Sequence, residues 1–136
     1  MELSLTEKQF RYLLDLVYIG NWVMNSTRGD DRIEEYDRLE SHVFSQCAPM
    51  NMGQLTQTLD GEILPSKAFA RGGIHEVIEQ YEDVLFYEIL AEEMALRDMD
   101  AQGITPENYH QLLSRIDRYL AEFHTHGTDH VHIDMD

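Results

Sequence analysis

A chain of 136 residues with 43% hydrophobic and 10% aromatic side chains holds enough apolar material for one substantial core, which excludes a disordered polymer. Its 26 acidic and 10 basic residues leave a formal net charge of -16, which argues against binding DNA or an anionic membrane and favours cations and basic protein surfaces as partners. Cys47 is the single cysteine, so neither an intramolecular disulfide nor a cysteine zinc cluster can form, and a reducing compartment fits.

The opening segment, Met1 to Phe10, lacks the basic region, apolar run and small-residue cleavage site of a secretion signal. The apolar run from Phe10 to Met24 is too short for a membrane span and contains Arg11, Asp15 and Asn21, so a cytoplasmic protein is expected. Leu5-Thr6-Glu7-Lys8-Gln9-Phe10 reads as a helix start, with Thr6 as N-cap, Gln9 completing a capping box, and Leu5 and Phe10 as a hydrophobic staple. The first helix is expected over about 6–28. Its apolar residues, from Tyr12 and Leu13 to Trp22, Val23 and Met24, surround most of the axis, and so small a chain has too little else to cover them. A homodimer is therefore expected.

A second helix, about 31–47, would be capped by Asp30 or Asp31, stopped by Pro49, and turned inward at Ile33, Tyr36, Val43, Phe44 and Cys47. Residues 48–73 make a connection long for a compact domain, and Leu55, Leu59, Ile63, Leu64 and Phe69 could fold it over the helices as a flap. A third helix, about 74–100, follows Gly72-Gly73 and carries Ile74, Ile78, Tyr81, Leu85, Ile89, Leu96 and Met99 at helical spacing. A fourth, about 106–123, begins at Thr105-Pro106-Glu107 and would bury Tyr109, Leu112, Leu113, Ile116, Leu120 and Phe123. The expected fold is all-α: a single helical domain over 1–136, four-helix bundle-like, with a long connection between helices two and three and an extended C-terminal arm over 124–136.

Polar chemistry is expected in two places. A helical wheel sets Glu88 and Glu92 among the apolar positions of the third helix, Glu40 among those of the second and Asn21 among those of the first. A carboxylate in such a seat must be paired, protonated or bound to a cation, and carboxylates on facing helices hold iron or manganese in some bundles. The Glu107 to His110 spacing matches the Glu-x-x-His pattern of such bundles once, where capping also explains Glu107. The second place is Phe123 to Asp136, "FHTHGTDHVHIDMD". Alternation of His130, His132 and Asp134 with Val131, Ile133 and Met135 has the period of a strand, and a hairpin about Gly127 would set His124, His126, His130 and His132 on one face as ligands for zinc, nickel or copper.

The stretch "EDVLFYEILAEEM", Glu82 to Met94, is similar to part of the metal-binding helix of the all-α nucleoside triphosphate pyrophosphohydrolases, and Glu34-Glu35 resembles their earlier acidic pair. Gln80 stands where that helix carries an acid. The resemblance implies a nucleotide hydrolase in which Glu34, Glu35, Glu79 and Asp83 hold Mg²⁺. No stretch carries a strong catalytic signature, so the primary expectation is a small acidic protein acting by association, as a homodimer and a regulatory partner of a basic protein. The alternative is a metal-binding protein or metal-dependent hydrolase using the helix carboxylates or the histidines.

Overall fold

Thr6 does what its position predicts. In the computed structural model, which describes residues 1–136, its hydroxyl accepts the Gln9 N–H at 3.2 Å while the Gln9 side chain accepts the Thr6 N–H at 3.0 Å. Helix α1 (Glu7–Asn25) runs from this cap and ends before the expected limit at 28. The shortening has a local cause, because Arg28 donates to the Met24 carbonyl at 2.7 Å and to Asp31 at 2.8 Å, closing a turn. Asp31 is thereby used in the turn and does not cap the second helix. Instead Asn25, buried at the end of α1, accepts the Ile33 N–H at 2.9 Å and donates to the Ile33 carbonyl at 3.0 Å. That clasp sets the entry to α2 (Glu34–Phe44), which continues as a 3-10 turn over Ser45–Cys47.

The fold is mostly helical, 64% helix and 6% strand, with four longer helices and one two-stranded sheet. It divides into two compact units, Met1–Ile78 and Glu79–Asp136. In the first unit Phe10 and Leu14 of α1 pack with Phe44, Cys47, Phe69 and Ile74. Phe44 and Phe69 meet edge to face with ring centroids 5.1 Å apart.

Phe69 reaches this core because the long connection is structured. β1 (Thr56–Leu59) pairs antiparallel with β2 (Glu62–Pro65), Leu59 opposite Glu62, across Asp60 and Gly61, both at positive φ. Ser66 donates to the Gln54 carbonyl at 2.8 Å and accepts the Phe69 N–H at 3.2 Å, capping the short turn α3 (Lys67–Phe69). Leu55 and Ile63 pack on the core as a flap would, but Leu59 remains exposed. A wide π-type turn over Ala70–Ile74, with Gly73 at φ 103°, leads into α4 (His75–Met99).

The second unit pairs the remainder of α4 with α5 (Tyr109–His126). Ala91, Ala95 and Met99 are fully buried, Leu112 and Phe123 nearly so, and Leu96, Ile116 and Tyr119 pack beside Ala95, Met99 and Leu112. Small side chains at Ala91 and Ala95 choose which face of α4 is covered. α5 begins after the expected start at 106. Thr105 N–H donates to Asn108 at 2.8 Å and Asn108 donates to the Gly103 carbonyl at 2.8 Å, which holds Pro106 and Glu107 in a turn. Tyr109 and Leu113, expected in the buried face, are exposed. α5 also continues past 123 to His126, and residues 131–136 carry no regular structure, so the expected C-terminal hairpin does not form. No helix is long and apolar enough to cross a membrane.

Candidate functional site

The interior of the first unit holds one ionisable side chain out of the ordinary, Glu40. It is 9% exposed, on the core side of α2 as its helical position predicts. Burial pushes its carboxyl up to about 7; the Asp37 carboxylate adds to the push, and the Asn21 amide and the Arg32 guanidinium offset part of it. Asp37 behaves oppositely, because Arg32 binds it through two hydrogen bonds of 2.6 Å and Asn21 donates to it at 3.0 Å, holding it below the usual carboxylate range. Asn25 donates to Asn21 at 2.8 Å and completes the chain of amides. Tyr18, Asn21, Trp22, Asn25, Arg32 and Glu40 line an open cleft of about 310 Å³. The Tyr18 hydroxyl pairs with His75 Nε2 at 2.7 Å, and burial, with the nearby Glu40 charge, raises its pKa. This cleft can exchange a proton near neutral pH at Glu40, and Arg32, whose charge pulls the other way, is already occupied by Asp37.

The histidine-rich end is arranged differently from the expected hairpin. His124 and His126 lie on the last turn of α5, so they point to different sides of the helix. His124 lines an open pocket with Val84, Tyr87, Glu88, Leu120 and Phe123. His126 stands one turn beyond Glu122, its Nδ1 3.1 Å from the Glu122 carboxylate. The chain turns back after Gly127 and sets His130 Nδ1 2.5 Å from the same carboxylate oxygen. His132 is exposed in the irregular end. Two of the four histidines thus converge, and their common partner, Glu122, escaped the sequence reading although its i, i+4 spacing to His126 was visible.

The remaining carboxylate candidates separate. Glu88 and Glu92 are exposed on α4, because the apolar arc used to place them inside is covered only in part: Met99 within it is fully buried, whereas Tyr81 is 63% exposed. Among the acids of the pyrophosphohydrolase resemblance, Glu34 pairs with Arg38 at 2.7 Å, and Glu35, Glu79 and Asp83 are all exposed. Cys47 is fully buried, and burial raises its thiol pKa against a smaller pull from Arg11, which suits a core residue better than a nucleophile.

One surface feature belongs with these sites. α1 buries Phe10, Leu14, Asn21 and Asn25, while Tyr12, Leu16 and Val23 are exposed by 56%, 69% and 66%. At about 100° per residue, Tyr12, Leu16 and Val23 fall within an arc of roughly 40° opposite the buried set, with Ile19, half-buried against the core, at its edge. Beside this stripe, Val17, Gly20, Asn21, Met24, Tyr36 and Leu39 line a mostly apolar groove of about 210 Å³. Comparison with family models, with curated proteins and with solved structures returns no match.

Proposed function

We propose that this protein acts by association, as a homodimer joined through the outer stripe of α1. The observation that carries this reading is the exposed apolar line of Tyr12, Leu16 and Val23 on the side of α1 opposite its buried residues. Charge favours a second copy as the occupant. The chain carries a net -16, yet α1 is neutral, with Glu7 and Asp15 balanced by Lys8 and Arg11, and from Leu16 to Asn25 no side chain is charged. Two copies meeting along this line bring together the one long surface on which they do not repel each other. A two-fold axis across the stripe would set α1 and α2 of one copy against α1 and α2 of the other, so that four-helix packing is completed between copies.

The acidic surfaces then face outward on the dimer, which suits it to a regulatory role on a basic protein in a reducing, cytoplasmic setting. Size-exclusion chromatography with light scattering tests the first step. Wild-type protein runs as a dimer that strengthens with added salt as the residual charge is screened, and Leu16→Asp with Val23→Asp runs as a monomer with unchanged far-UV circular dichroism. A monomeric wild type at concentrations up to about 100 μM, where an interface of roughly standard size would be populated, refutes the reading.

A further inference from the structure

We infer that Glu122, His126 and His130 form a binding site for a borderline divalent transition-metal ion, with Zn²⁺ the representative species. The three side chains offer one carboxylate oxygen and one nitrogen from each imidazole, all within 4.8 Å of one another, and both Nδ1 atoms approach the same Glu122 oxygen. Glu122 and His126 lie one turn apart on the same side of α5, so the helix itself sets that pair. The third ligand is placed by the backbone. Gly127 ends α5 at φ 56° and ψ -130°, a conformation open to glycine and costly for other residues, and its N–H closes on the Phe123 carbonyl at 2.8 Å. The Asp129 N–H donates to the His126 carbonyl at 3.1 Å, tying the returning chain to the helix end, and the Val131 N–H donates to the Thr128 carbonyl at 2.9 Å, closing the turn that follows. His130 is thereby brought beside His126, their ring centroids 4.3 Å apart.

The geometry lies close to what an ion requires. Bonds of about 2.0–2.2 Å in a tetrahedral site place neighbouring ligand atoms roughly 3.3 Å apart. The observed Glu122 to His126 separation of 3.1 Å fits, the Glu122 to His130 separation of 2.5 Å must open by less than an ångström, and the two imidazole nitrogens, within 4.8 Å of each other, must close by no more than about 1.5 Å. The side chains are 37% to 61% exposed and free to make that adjustment. With an ion bound, each ring coordinates through Nδ1 and carries its proton on Nε2, toward solvent. Water completes the coordination, because the chain supplies three ligands. Two imidazoles with one carboxylate select Zn²⁺, Ni²⁺ or Cu²⁺ over Mg²⁺ and Ca²⁺, which prefer oxygen donors, and the strongly negative chain raises the local concentration of any cation.

Isothermal titration of the untagged full chain with ZnCl₂ in chelator-free buffer tests the site. One Zn²⁺ binds per chain and excess Mg²⁺ does not displace it. His130→Ala and Glu122→Gln each weaken binding by more than the roughly 10–100-fold loss typical of an outer-shell partner, and His124→Ala leaves it unchanged. Gly127→Ala, which retains every ligand but disfavours the turn, also weakens binding. Unchanged far-UV circular dichroism shows that the variants remain folded. Absence of Zn²⁺ uptake by the wild type, or equal affinity in wild type and His130→Ala, overturns the assignment.

Discussion

Replacing Glu40 with glutamine keeps the shape of the side chain and removes its charge, so it isolates the cost of carrying a carboxylate inside the first unit. The folded protein raises this carboxyl from 4.5 to about 7. Because the folded value lies above the unfolded one, the wild type has its full stability below about pH 4.5 and loses part of it as pH rises through 7. The full shift corresponds to about 3 kcal/mol, and solvent in the adjoining cleft reduces this to roughly 2 kcal/mol. Glu40→Gln has no such loss. Urea denaturation of both proteins at intervals between about pH 5 and pH 8 therefore gives curves that nearly coincide at the acid end and diverge upward in pH, the variant more stable by roughly 2 kcal/mol at the top. Other groups that titrate in this window, the histidines among them, cancel in the difference. A difference that stays flat, or a variant less stable than wild type at pH 8, refutes the reasoning, because Arg32 and Asn21 would then be holding Glu40 as a satisfied anion.

Two further substitutions test how the first unit is held together. Asn25→Ala removes both hydrogen bonds to Ile33 and leaves partly buried backbone groups without partners, so urea denaturation should show a loss of about 2–4 kcal/mol. Gly61→Ala places a Cβ on a residue at φ 81° in the hairpin turn; we expect a loss of about 1 kcal/mol or more and faster amide exchange confined to 56–65. A neutral Asn25→Ala or unaltered exchange in the hairpin would count against the corresponding assignment.

The capping box at Thr6, the helical periods and the apolar excess of α1 all follow from near neighbours along the chain, and the structure realises them. The hairpin is legible too, since Asp60-Gly61 between two short β-compatible runs is a strong turn signal. Asp31 and Thr105 illustrate the limit of local signals. Both are sound N-caps by residue type, but the Asp31 carboxylate is taken by Arg28, whereas the Thr105 hydroxyl accepts the Asn108 N–H at 3.4 Å as a cap would, yet it opens only a turn and α5 starts at Tyr109.

What the sequence determined by itself was the helical character, the acidic field and the presence of more apolar helix surface than the fold buries, because these depend on composition and on period. Which carboxylates went inside was decided by tertiary structure alone: the same wheel placed Glu40, Glu88 and Glu92 among apolar neighbours, but only Glu40 is buried. The histidines obey the same logic. Their alternation suggests a strand, yet α5 runs on through His124 and His126 until Gly127 turns the chain back, and that reversal brings His130 to Glu122. Periodicity describes how side chains are distributed around an axis, whereas burial and convergence depend on what packs against that axis.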